Sequence, residues 1–243
     1  MAPNIFIALP DYGGVIKSKC VLSLIRLMDQ LRAESIKHEL WTFEFSNVSM
    51  TRNYLASAFF HTKSFSHLLF IDSDMTFRPS AVTRLLKCNK PLVGCVYPRR
   101  SMDFDRALAL AKTRPPAIAV ARSSKFVVQP DPADPEPSAD GLLRVHGLGM
   151  GLCLIDRVVF DRLTATKKIR YERSEWKELG PSGVLYGYFD LHYEEGNSLS
   201  EDLSFCKRWR ELCDGEVWAV IDEPVGHIGD RIYESLYTDS LKG

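Results

Sequence analysis

No apolar run in this chain approaches the roughly 20 residues that cross a bilayer, so a membrane span is not expected. An excess of charge of one sign is also missing. Over 243 residues, 31 Lys and Arg balance 31 Asp and Glu, and the formal net charge is zero. That removes any global electrostatic case for a nucleic-acid partner and leaves only local basic patches. The six cysteines (Cys20, Cys88, Cys95, Cys153, Cys206 and Cys213) form no Cys-x-x-Cys pair. They lie in apolar patterns, which argues against a zinc site and reads as reduced core thiols of a cytoplasmic protein. Met1 to Pro10 lacks a basic region and a cleavage site, so a strand is expected there and not a signal peptide. Neither G-x-G-x-x-G nor a Walker pattern occurs; Gly13-Gly14 is only loosely like a phosphate loop. There is no internal repeat.

What is present suffices for one α/β domain. Forty-five per cent of the residues are hydrophobic, enough for a full core. Asn4 to Pro10 reads as a buried strand, and Val21, Leu24, Ile25, Met28 and Leu31 make a helical stripe. Glu39 to Phe45 alternates as a strand. A helix follows over Thr51 to Thr62, capped by Ser49 or Thr51. His67 to Ile71 is apolar enough for a buried parallel strand. Pro79 opens a helix to Cys88, and Pro91 to Tyr97 is a strand ending on Pro98-Arg99-Arg100. A short helix is expected within Asp103 to Thr113, and short strands at Ala117 to Val120 and Lys125 to Val128. Residues 129–140, with four prolines and four acids from Pro130 onward, read as a mobile exposed loop. Leu142 to His146 is a strand, and Asp156 caps a helix over Arg157 to Leu163. Tyr186 to Asp190 is a short aromatic strand. A helix from Glu201 to Cys213 and a strand over Glu216 to Ile221 follow. His227 is expected in a loop between glycines, and Arg231 to Gly243 as a loose tail.

The strand over His67 to Ile71 runs into Asp72-Ser73-Asp74. Two carboxylates two residues apart along an extended chain share a side. Ligands of open α/β sheets bind at the carboxyl ends of the strands. Hard oxygen ligands there suit Mg²⁺ or Mn²⁺, and such an ion suits a diphosphate. Either Asp would serve equally as a cap for the helix at Pro79. Arg52 sits near a helix start, where the dipole disfavours a cation, so it either faces a phosphate or is a solvated surface residue. Arg99 and Arg100, also at a strand's end, could hold an anion or lie in solvent. Gly147, Gly149 and Gly151 allow close approach of a ligand or of a neighbouring strand. Glu201 and Asp202 open a helix, where they cap it or act as a general base.

In that order these pieces resemble the GT-A glycosyltransferases: an α/β half, an apolar strand ending in Asp-x-Asp, a Gly-x-Gly strand before a helix, an acidic pair opening a helix, and a late His. Met50-Thr51-Arg52-Asn53 also looks like the Arg-Asn helix start of some bacterial, viral and Anp1-like members. The resemblance implies a Rossmann-like nucleotide-binding half over about 1–100 and an acceptor or catalytic half over about 141–230. The implied central sheet is mostly parallel and flanked by helices, with a smaller acceptor-side sheet. It implies Asp74 as the ligand of Mn²⁺ or Mg²⁺, with Asp72 near the ion or the ribose and His227 as a further ligand. Leu9, Pro10, Asp11, Arg52, Asp72 and Ser73 would face the nucleotide, and Gly149 and Gly151 the sugar. Asp202, beside Glu201, would deprotonate the acceptor hydroxyl. The donor would be a nucleoside-diphosphate sugar and the acceptor a glycan or another hydroxyl compound. The competing readings are a nucleotidyltransferase of similar fold and a non-catalytic nucleotide-sugar or glycan-binding protein.

Overall fold

The computed structural model describes residues 3–11, 13–179, 183–194 and 196–242. Tyr12, in the loop after the first strand, lies outside them, as does Glu195 in the polar loop before Ser200. The first half runs β1 (Asn4–Asp11), α1 (Ser18–Ala33), β2 (Lys37–Glu44), α2 (Val48–His61), β3 (His67–Ile71), β4 (Met75–Phe77), α3 (Pro79–Cys88) and β5 (Leu92–Cys95). Then come β6 (Pro98–Met102), α4 (Phe104–Leu110), α5 (Pro116–Ser123), β7 (Ser124–Phe126), β8 (Val128–Pro130), β9 (Leu142–Leu148), β10 (Leu152–Asp156) and α6 (Arg157–Ala165). The last part is β11 (Tyr171–Arg173), a 3₁₀ turn (Lys177–Leu179), β12 (Val184–Tyr186), β13 (His192–Glu194), β14 (Asn197–Leu199), α7 (Glu201–Cys213), β15 (Val217–Val220), β16 (Val225–Ile228), β17 (Ile232–Glu234) and α8 (Tyr237–Leu241).

Eight strands form the central sheet in the order β2-β1-β3-β10-β5-β15-β9-β8. The pairs β1–β2, β1–β3 and β5–β15 are parallel. The four others are antiparallel, including both pairings of β10. The sheet is therefore mixed, not mostly parallel as expected. The cause is local: β10 enters between β3 and β5 directly after β9 and runs against both.

Alternation along the strands sorts side chains onto two layers. Phe6, Ala8, Leu68 and Phe70 face the layer of α2, α6 and α7, with Phe59, Phe160 and Trp209. Ile5, Ile7, Leu9, Leu69 and Ile71 face α1 and α3, with Leu24, Leu27 and Val82. The result is a helix–sheet–helix sandwich whose strand ends meet a second sheet of order β17-β16-β4.

Several local expectations change. Ala117 to Val120 is not a strand but part of α5, because Pro116 occupies its first turn and alanines follow. His227 lies not in a loop but in β16, paired opposite Met75 of β4. The tail forms β17 and α8, with the Tyr237 ring edge-on to Phe126 at 5.1 Å. α2 starts earlier than expected, capped by Asn47, whose Oδ1 accepts from Met50 N at 3.1 Å. Arg52 is thus one turn deeper than a first-turn cation. The acidic loop after Pro130 is anchored: Asp131 is buried and takes Arg144 Nε at 3.0 Å.

Candidate active site

The Asp72-Ser73-Asp74 turn is held by its backbone from several sides. Asp72 N donates to Gly151 O at 3.0 Å, and Lys17 N donates to Ser73 O at 2.9 Å. Ile228 N donates to Asp74 O at 2.8 Å, tying the turn to β16. Because β3 ends at Ile71, the two carboxylates leave a turn; both border one cavity but take different partners.

Asp72 turns inward to Arg52, whose Nη2 donates at 2.8 Å. Arg52 is 2% exposed, and its Nε donates to Glu201 Oε1 at 3.2 Å. Its guanidinium also lies 5.1 Å from the centre of the Phe70 ring. Burial works against the charge on Arg52, yet Asp72, Glu201 and Asp202 outweigh it and raise its pKa. Burial raises the Asp72 carboxyl in spite of Arg52, and Asp74 and Glu201 add to the rise. Arg52 is therefore neither a surface residue nor a wall of the cavity described below. It is a buried bridge from the strand end to the start of α7.

Asp74 takes other partners. Its Oδ2 lies 3.2 Å from His227 Nε2 and 3.2 Å from Arg100 Nη1. Burial raises its carboxyl, but His227 and Arg100 prevail and hold it below the ordinary value. His227 Nδ1 is 3.2 Å from Pro98 O, so Nδ1 carries the hydrogen and Nε2 is directed at Asp74. A carboxylate oxygen and an imidazole nitrogen thus lie 3.2 Å apart at the strand end. Among the described residues no group of three His, Cys, Asp or Glu is placed to hold an ion alone. Asp72, expected beside Asp74 on the ion, is instead engaged by Arg52.

A cavity of about 470 Å³ opens over this turn. Its wall follows the strand order. Phe45 comes after β2, then Pro10 and Asp11 at the end of β1, then Asp72, Ser73 and Asp74 after β3. Val15 and Val48 complete the apolar side, and Lys17, Arg100 and His227 bring positive or ligating groups to the other. Pro10, Asp11, Asp72, Ser73, Asp74 and His227 are brought together as expected. Leu9 is not; it is fully buried against α1. Gly149 and Gly151 also face protein: a Cβ on either would lie 2.3 and 2.7 Å from the Tyr97 hydroxyl. Tyr97 Oη accepts from Gly151 N at 3.0 Å. The glycines are therefore required by a side chain of this protein and do not line the cavity.

Asp202 is buried at the start of α7, with Oδ1 accepting from Leu203 N at 2.8 Å and from the Ser200 hydroxyl. Burial, and then Glu201, raise its pKa against the pull of Ser200 and Arg52. Asp202 does not line the cavity described above.

Lys17, Phe45, Val15 and Val48 were not singled out for the site from sequence. Phe45 was legible only as the last residue of an alternating strand, and Lys17, Val15 and Val48 carried no local signal. Of Arg99 and Arg100, only Arg100 reaches the cavity.

This arrangement defines an α/β fold with a mixed, partly parallel sheet, flanked by helices and carrying a cavity at its strand ends. It is similar in fold to the crystal structure of A197 from STIV, with 15% identity and a TM-score of 0.50 over 96% of this chain and 94% of that one. The crystal structure of GalNAc-T7 with UDP, GalNAc and Mn²⁺ aligns with 94% of this chain at 12% identity and a TM-score of 0.47. This chain spans only 43% of that one. No protein-family model and no curated protein matches the sequence.

Proposed function

We propose that the protein is a metal-dependent glycosyltransferase that moves a sugar from a nucleoside-diphosphate sugar to an acceptor hydroxyl. The observation that carries the reading is the pairing of Asp74 with His227, 3.2 Å apart in a strand-end cavity, with Arg100 and Lys17 beside it. Apolar Val15, Phe45 and Val48 suit a base, Asp11 at the end of β1 suits a ribose hydroxyl, and the cations suit a diphosphate. Asp74 and His227 would hold Mn²⁺ or Mg²⁺, which supplies Lewis-acid stabilisation of the leaving diphosphate. Arg100 and Lys17 add to that stabilisation as charge develops. Asp202 accepts the proton of the incoming hydroxyl, with Leu203 N and the Ser200 hydroxyl holding it in place. In this reading residues 1–100 supply the nucleotide side and 141–230 the acceptor side of one catalytic unit.

A thermal-shift series with nucleoside diphosphates and nucleotide sugars, with and without Mn²⁺, tests the reading, since a ligand of the folded state raises its stability. A nucleotide-dependent shift is expected to grow with Mn²⁺ in the wild type. In Asp74→Asn the Mn²⁺ increment should vanish with the fold intact. An unchanged increment in Asp74→Asn removes the metal assignment. Tight binding without diphosphate release on a broad acceptor panel would favour a non-catalytic binding protein, and release of pyrophosphate from a nucleoside triphosphate would favour a nucleotidyltransferase.

A further inference from the structure

Between Arg99 and Lys125 seven Lys and Arg stand against two Asp, a local charge of +5 on a chain whose total is zero. One of the two acids, Asp103, is occupied in capping α4, where its Oδ1 accepts from Arg106 N at 3.0 Å. α4 has no buried residue at all, yet it reads Phe-Asp-Arg-Ala-Leu-Ala-Leu. Phe104 is 54% and Leu108 69% exposed, four residues apart and so on one face. Ala109 and Ala111 are exposed as well.

A seven-residue helix is marginal in water by itself, and helices in proteins draw their stability from a packed apolar face. The apolar face of α4 is turned outward, and its main neighbour is α5. The patch adjoins the cavity. The Arg231 guanidinium lies 4.5 Å from the centre of the Phe104 ring and follows β16, the strand that carries His227. Arg100, whose guanidinium reaches Asp74, belongs to β6, immediately before α4.

We infer that the α4 face docks on an anionic lipid bilayer surface. Cations and outward apolar side chains together match an interface of anionic head groups over acyl chains: the charges are attracted from a distance and the apolar residues insert. A nucleic acid would account for the cations but would leave Phe104 and Leu108 in water. Docking there sets the cavity mouth beside the membrane. The inference stands on the exposed surface and does not depend on the transferase reading.

The test is co-sedimentation of the full chain with vesicles of phosphatidylcholine alone or of phosphatidylcholine with phosphatidylglycerol. Binding is expected only to the anionic vesicles and should weaken as salt is raised. Lys112→Gln should weaken it by about fivefold. Phe104→Ser with Leu108→Ser should abolish it, while Val158→Ser, an exposed apolar position on α6, should leave it unchanged. Thermal midpoints of the variants in buffer should match the wild type, since every altered residue is exposed. Absence of binding to phosphatidylglycerol vesicles overturns the inference. So does undiminished binding by the Phe104/Leu108 variant, or duplex DNA bound more tightly than vesicles and equally by that variant. None of these results bears on nucleotide binding, so the two readings fail separately.

Discussion

Asp74 and Asp72 stand two positions apart and meet opposite surroundings. Asp74 is held between an imidazole and an exposed guanidinium at the cavity wall, and Asp72 is neutralised from inside by Arg52. Arg100 shares the carboxylate oxygen that an ion would need. Arg100→Ala should therefore raise Mn²⁺ affinity in the absence of nucleotide and lower nucleoside-diphosphate affinity in its presence. The pair is solvent-exposed on the Arg side, so the gain in Mn²⁺ affinity is at most about fivefold. Titration calorimetry with Mn²⁺ alone and with Mn²⁺ plus nucleotide separates the two effects, and equal signs would contradict this role. Asp202 invites a second prediction. Its raised pKa means that burying the charge costs stability as pH rises above the unfolded carboxyl range. Asp202→Asn should keep the bond from Leu203 N, raise the thermal midpoint at neutral pH and lose transfer. A midpoint that falls would show that the charge itself supports the fold.

The elements around the site depend on close approach. The β9–β10 connection passes against Tyr97 at the end of β5, and its glycines leave room for that ring. Gly149→Ala should destabilise by about 1–3 kcal/mol through overpacking. Tyr97→Phe in the same chain should recover only part of the loss, because the added Cβ would still lie 2.9 Å from Cζ. Denaturant midpoints of the single and double variants measure this, and a neutral single variant would mean that the connection shifts freely. Here sequence was informative about type and not about partner. Alternating glycines announced a close approach, but a ligand and a side chain demand the same missing Cβ. Tyr97, some fifty residues away in the chain, could not be assigned to it by any local pattern. The α5 helix shows a similar limit, since Ala117-Ile118-Ala119-Val120 suits either state and Pro115-Pro116 decided it.

Across the whole molecule, α2 is tied to the segment after β12 by a polar cluster. Asn53 Oδ1 accepts from Phe189 N at 2.6 Å, and its Nδ2 donates to Asp190 at 2.8 Å. Arg170 Nε donates to Asp190 Oδ2 at 2.6 Å. Burial raises the Asp190 carboxyl, but Arg170 and Asn53 outweigh it and hold it below its ordinary value. A depressed carboxyl contributes stability that is present above the unfolded carboxyl pKa, near about 3.9, and is lost as pH falls through the lower folded value. Asp190→Asn should therefore lower stability at neutral pH and flatten the acid limb of the stability profile. Urea midpoints followed from pH 7 to about 3 check the slope; a profile parallel to the wild type would exclude Asp190 as a contributor.

By itself the sequence determined the α/β class, the helices at Pro79 and Arg157, and the strand that stops at Asp72. Those follow from periodicity, prolines and caps, which act over a few residues. It also marked Asp72 and Asp74, because strand ends of an α/β sheet are where ligands bind, while Pro10, Asp11, Ser73 and His227 were marked by the family resemblance. Tertiary structure alone decided the rest. The mixed sheet depends on where β10 inserts, and the different partners of Asp72 and Asp74 depend on Arg52 and His227 arriving from α2 and β16. Arg52 became a buried bridge, and not a phosphate contact, because Asp72 and Glu201 enclose it across gaps of 20 and 149 residues. A charge chooses its partner by distance in space, and that distance is set only when the layers pack.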